Sequence, residues 1–213
     1  HRDLHSFPTR RSSDLHGVAV GAHPGYPDLV GFGRRSMALT PEEVKNTVIY
    51  QIGALESFCR TAGIKMQHVK VHGALYNNAE KDLTIATAIA EAIKAVDPSL
   101  YMLCLANSQM GVAARNAGLP YVEEAFADRA YTDEGSLVSR KIAGSVIHDL
   151  ELVVARVVQM VRDKTVTSIT GNVVPINAQT ICVHGDTPGA VAMVKAIRAA
   201  LEKEKITLKA FGC

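Results

Sequence analysis

VKVHGALYNN, residues 69–78, runs an alternating apolar strand into a histidine and then directly into glycine. The same order returns in AVGAHPGYPDLVGFGRR (residues 19–35) and in CVHGDTPGA (residues 182–190), with glycine no more than two residues after the histidine. Glycine lets the backbone turn sharply and lets a ligand come close, so this order presents the histidine rather than burying it. One histidine at a strand end is ordinarily a satisfied structural residue. Three at equivalent places are not explained by packing, which has no reason to choose titratable groups there.

Working outward from these stretches, strand-length apolar runs alternate with helix-length amphipathic segments, the pattern of parallel strands joined by crossover helices. The strands expected are GVAVGA, QHVKVH, YMLCLA, YVEEAFA, TICVH and ITLKAF. Thr40, Pro41 and Glu43 supply an N-cap, a proline at the first helical position and a capping-box partner, and Gly63 ends that helix. Val44, Val48, Ile52, Leu55 and Cys59 keep to one of its faces. A second helix is expected over about residues 81–96, a third over residues 150–162 and a fourth from Thr187 and Pro188 to about Lys203. VTSITGNVVPI reads as a hairpin turning at Gly171 and Asn172. The fold class is therefore α/β, with residues 16–213 forming one domain. Residues 1–15, HRDLHSFPTRRSSDL, are polar, basic and aperiodic, and are expected to be non-native or disordered.

Composition narrows the function. With 213 residues, 47% of them hydrophobic, the chain can bury a sizeable core. A net charge of +2, without basic clusters interleaved with aromatics, argues against nucleic acid. No apolar run reaches the roughly 18 residues of a membrane span. The four cysteines form no CxxC pair, which suits free thiols and the cytoplasm.

In parallel α/β folds the loops leaving the C-terminal strand ends form the active face, so His23, His72 and His184 are expected to share one mouth. Asp28, Asn77 and Asp186 follow them in turn, Asp186 at a helix start where free N–H groups favour an anion. Such groups can hold a divalent metal, with the three histidines as candidate ligands, or act as general acid and base on water attacking a carbonyl. Spacing alone does not separate the two. No HExxH, GxSxG or P-loop pattern is present. Lys70 alternates away from Val69 and Val71, and either shares the mouth or snorkels at its rim. Arg34, Arg35 and Arg129 are candidates to clamp a carboxylate, with at least one of the first two left to solvent. Asp128 and Arg129 close the strand YVEEAFA, a position that favours a functional role for the pair.

GAHPGYPDLVGFGRR, VIYQIGALE, HVKVHGALYN, EEAFADRAY, GSLVSRKIAG and ICVHGDTPGAV, in this order, resemble the successive motifs of the LamB/YcsF lactam-utilisation family. The resemblance covers nearly all of residues 17–208. It implies a distorted (β/α) TIM-like barrel of the glycoside hydrolase/deacetylase type. It also implies cleavage of the 5-oxoproline lactam to glutamate with ATP hydrolysis, by a 5-oxoprolinase in which this chain works with B and C subunits. On matching positions it carries over His23, Asp28, His72, Asn77, Asp128, Arg129, His184 and Asp186 as pocket-lining residues.

Two family motifs, of the types IDLNCDLGE and NIACGFHAGD, stand ahead of the first motif present here, and neither is found. The expectation is an N-terminally truncated subunit lacking the barrel's first one or two strands. Val71 and Ser139 stand where the family usually has proline. Two other readings compete: a stand-alone metal-dependent deacetylase-like hydrolase of carbohydrates or amides, needing metal and no ATP, and a non-catalytic substrate-binding subunit, tolerant of histidine loss.

Overall fold

The computed structural model describes residues 17–185 and 188–212, so the expectations for residues 1–15 and for Asp186 lie outside the described residues. Two compact units make up the chain. The first comprises residues up to Cys104 together with Ser108–Tyr121, and the second Leu105–Asn107 with the residues from Val122 onward.

In the first unit the elements run β1 (Val20–Ala22), α1 (Pro41–Thr61), β2 (Met66–Val69), α2 (Gly73–Ala79), α3 (Leu83–Val96), β3 (Tyr101–Leu105) apart from its last residue, and α4 (Gln109–Ala117). β1 pairs with β2 and β2 with β3, both in parallel, with Gly21 opposite His68 and Val69 opposite Met102. Parallel neighbours require crossovers, which the helices provide. α1 begins where the capping box places it: the Thr40 hydroxyl accepts from the Glu43 amide while the Glu43 carboxylate accepts from the Thr40 amide. Removing such a cap costs a helix about 1 kcal/mol. Val44, Val48, Ile52 and Cys59 are buried, and Leu55 is half-buried at the edge of that face. Against α1 lies α3, with Ala86, Ile89, Ala90 and Ile93 at or near zero exposure. α3 starts at Leu83 rather than 81 because Asp82 is its N-cap, accepting from the amides of Thr84 and Ile85.

The second unit holds β4 (Tyr121–Phe126) apart from its first residue, then α5 (Leu150–Arg162), β5 (Thr165–Thr167), β6 (Val173–Pro175), β7 (Thr180–Cys182) and α6 (Ala190–Lys203). β4 and β7 are parallel, with Phe126 opposite Cys182. β5 and β6 form the expected antiparallel hairpin. α5 and α6 enclose a core of Ala127, Val153, Val157, Met193, Ile197 and Leu201.

Three expectations need correcting. The start expected at Thr187 lies outside the described residues; α6 begins at Ala190, after the expected Pro188, because Gly189 sits at φ 81, where a right-handed helix cannot run. ITLKAF is not a strand. Lys205 turns at φ 60, the Ile206 amide bonds back to the Leu201 carbonyl, and the Ile206 side chain packs on the α5 and α6 core, while Leu208 is 47% exposed. Two helices, α2 and α4, stand where none was expected.

Candidate active site

His23 and His72 lie just beyond β1 and β2. The parallel ladder continues past both strands, through Lys70 N–H to the Ala22 carbonyl and His72 N–H to the Pro24 carbonyl, and this holds the two histidines side by side. Their ring centroids are 4.8 Å apart at 70°. His23 Nδ1 is 2.6 Å from the Lys70 carbonyl oxygen, and His72 Nε2 is 2.8 Å from that of Phe32. A carbonyl only accepts, so both nitrogens carry hydrogen. The remaining contact, His23 Nε2 to His72 Nδ1 at 3.0 Å, is then a hydrogen bond only when one ring carries a second proton.

The loop after His23 is built to deliver the Phe32 carbonyl. Gln51 of α1 clasps Gly25 on both sides, accepting from its amide and donating to its carbonyl. Asp28 accepts from the Gly31 amide and from Arg35, whose guanidinium reaches in from solvent. The Arg35 hydrogen bond, ahead of the Gly31 amide, holds the Asp28 carboxyl down to about 2. Phe32 takes φ 55, a left-handed conformation that bulky residues adopt only under constraint. Its ring meets His72 edge-on at 5.0 Å, and the Arg34 guanidinium lies 5.3 Å over it.

Lys70 places its ammonium 5.8 Å over the Tyr76 ring. Asn77 is exposed on α2, whereas Asn78 donates to the Tyr26 hydroxyl. Sequence reasoning did not single out His68. It stands on β2 opposite Gly21, and desolvation lowers its pKa. A β-carbon on Gly21 would fall 2.2 Å from His68 Nε2, so that glycine is the signal that could have found it.

In the second unit His184 follows β7 and meets Asp128, which follows β4. His184 Nδ1 lies 2.9 and 3.0 Å from the two carboxylate oxygens of Asp128, a residue 1% exposed. The carboxylate fixes hydrogen on Nδ1 and leaves the Nε2 lone pair outward. Phe126 stacks on the ring, centroids 5.5 Å apart at 27°. At Nε2 stands Arg140, its guanidinium 3.2 Å away.

Arg129, expected to bind substrate, is buried and donates to the carbonyls of Ser145 and Val138. Arg156, also buried, donates to the carbonyls of Arg129 and Thr167, and burial lowers its pKa. Tyr131 is fully buried, which pushes its phenol up, and its oxygen accepts from the Phe126 amide. The buried groups thus hold main chain in place, while His184 and Arg140 reach the surface.

Among the described residues no three His, Cys, Asp or Glu side chains come together as a metal site. The donors explain this: Asp28 is taken by Arg35, Asp128 by His184, and His72 Nε2 by a carbonyl. Among the described residues no helix is long and apolar enough to cross a membrane, and Cys59, Cys104 and Cys182 are free thiols.

Histidines with carboxylate and main-chain partners, set just past the C-terminal ends of parallel strands, mark a parallel α/β protein. The chain belongs to the LamB/YcsF family, whose model matches residues 8–212. It is 57% identical over 192 residues to a protein of Clostridium beijerinckii named as the A subunit of 5-oxoprolinase, covering 90% of this chain and 75% of that one. A protein of the same name from Heliobacterium modesticaldum is 52% identical over 194 residues, covering 91% and 76%. The crystal structure of a lactam utilization protein from Thermus thermophilus superposes with a TM-score of 0.87 at 47% identity, covering 96% of this chain and 82% of that one. That likeness agrees with the α/β, TIM-like class expected from the motifs.

Proposed function

We propose that this chain is the A subunit of a 5-oxoprolinase, opening the ring of 5-oxo-L-proline to L-glutamate in the cytoplasm, with ATP hydrolysis and with B and C subunits. The observation that carries the reading is the His184–Asp128 pair, in a chain 57% identical to a relative bearing that name.

Asp128 holds hydrogen on His184 Nδ1, so Nε2 is the basic nitrogen. It takes a proton from water as the water oxygen bonds to the ring carbonyl carbon. The ring C–N bond then breaks, and the nitrogen leaves with a proton returned by the imidazolium. Ring opening consumes one water, and the ATP hydrolysis coupled to it consumes a second and releases ADP and phosphate. Amide resonance makes the lactam carbonyl a poor electrophile, and ATP hydrolysis supplies the free energy to activate it. The sequence shows no P-loop pattern, so the nucleotide either binds this chain in another manner or is presented by a partner subunit.

The test is glutamate release from 5-oxo-L-proline by the chain mixed with B and C subunits, with and without ATP. The reading expects release that needs all three subunits and ATP. No glutamate under any condition, or release by this chain alone without ATP, would overturn it.

A further inference from the structure

Arg140 is placed unlike the other arginines of the second unit. Among the described residues Arg162 faces Asp163 and Arg198 faces Glu202, while Arg129 and Arg156 donate to carbonyls. Arg140 is exposed, and no carboxylate among the described residues pairs with it; its guanidinium rests on His184 Nε2. A guanidinium only donates, so this contact uses the lone pair that Asp128 leaves outward on the ring. While Arg140 stays there, His184 cannot take a proton from water.

The arm carrying Arg140 is anchored on both sides. The buried Arg129 side chain holds the carbonyl of Val138 on one side and of Ser145 on the other, and main-chain bonds join Ala130 to both residues. Between these anchors Ser139, Arg140 and Lys141 are exposed. The base of the arm is fixed and its arginine is in solvent, so the guanidinium can leave Nε2 by side-chain rotation alone.

A carboxylate is the group that would draw it away. A paired, charge-assisted fork of two N–H···O bonds is stronger than a single N–H···N bond to a neutral imidazole. We propose that Arg140 binds the carboxylate of an anionic lactam, and that its transfer from His184 Nε2 to that carboxylate uncovers the base. The inference rests on the 5-oxoprolinase reading and deepens it: the substrate class is a small lactam bearing a carboxylate beside the ring nitrogen. Neutral lactams would leave the base covered.

The test uses the chain assembled with B and C subunits and compares the unmodified chain with Arg140→Gln and Arg140→Lys. Losing a hydrogen bond to a charged group should raise KM for 5-oxo-L-proline about ten- to hundred-fold in Arg140→Gln, with kcat held within a few-fold. Arg140→Lys, which keeps the charge and loses the fork, should fall between. Thermal melts of both variants should match the parent, because the side chain is exposed. A KM within about threefold of the parent in Arg140→Gln, with glutamate still forming, overturns the role of Arg140 and leaves the 5-oxoprolinase reading standing. No glutamate from the unmodified assembly overturns that reading, and this inference with it.

Discussion

Replacing Gly73 by alanine tests how tightly the His72 site is built. Gly73 opens α2 at φ 60, and an added β-carbon would fall 2.5 Å from the Gly33 carbonyl oxygen and 3.2 Å from its carbon. Both are backbone atoms, so no side chain can rotate out of the way. The left-handed conformation alone costs an L-residue about 1–2 kcal/mol. Pushing Gly33 aside also breaks its bond from the Ala74 amide, which is worth about 1 kcal/mol. The variant should therefore lose about 2–3 kcal/mol or more, roughly 5–10 °C of melting temperature for a chain of this size. Gly53, inside α1, is the control: nothing lies within 4 Å of its built β-carbon, and alanine there should stabilise by about 0.5–1 kcal/mol. The assay is thermal and urea unfolding of the two variants beside the parent. A Gly73→Ala protein that melts with the parent would refute the argument, because it would mean the Gly33–Gly73 contact can relax without cost.

The other predictions follow from single contacts. Asp128→Asn keeps shape but no longer fixes hydrogen on His184 Nδ1, so kcat for glutamate formation should fall about 10²- to 10⁴-fold with little change in melting; a fall of less than about tenfold would count against His184 as the base. The Asp28 carboxyl is held at about 2 by Arg35, against about 3.9 unfolded, so its contribution to stability is complete above about pH 4 and is lost as pH falls towards 2. Acid unfolding of Asp28→Asn should accordingly be flatter across that window, and an unchanged slope would remove the ion pair from the account. Gly21→Ala crowds His68 in the parent and should be nearly neutral in a His68→Ala background, with a coupling of about 1 kcal/mol in the four-variant cycle; additive effects would show that the two residues do not meet.

How much of this was legible depends on how local the cause is. α1 was readable to the residue because its start is written in four consecutive positions, Thr40, Pro41, Glu42 and Glu43, which close the capping box without outside help. α4 carried comparable punctuation, Ser108 as N-cap and Gly118 at φ 70, in a helix of nine residues that the apolar period did not flag. α2 had none, since its N-cap is His72, whose ring makes no capping bond. ITLKAF has strand propensity throughout, but propensity does not supply a partner, and the turn at Lys205 sends Ile206 to the helices instead.

The histidines were legible for the same local reason: an apolar run, a histidine and a turn-permitting glycine sit within a few residues. Their partners were not, because each comes from far along the chain, Phe32 to His72 across 40 residues and Asp128 to His184 across 56. The two arginines differ in where the sequence places them. Arg129 lies in the run from Ala125 to Tyr131, buried at every position, and a guanidinium there has to be spent on nearby main chain. Arg140 lies in SRKIAG, polar and turn-forming, where a guanidinium stays in water and can be exchanged between partners. The carboxylate-binding role expected of Arg129 thus fits Arg140 better on burial alone, and Arg129 acts one step back, by fixing the two ends of the arm on which Arg140 is carried.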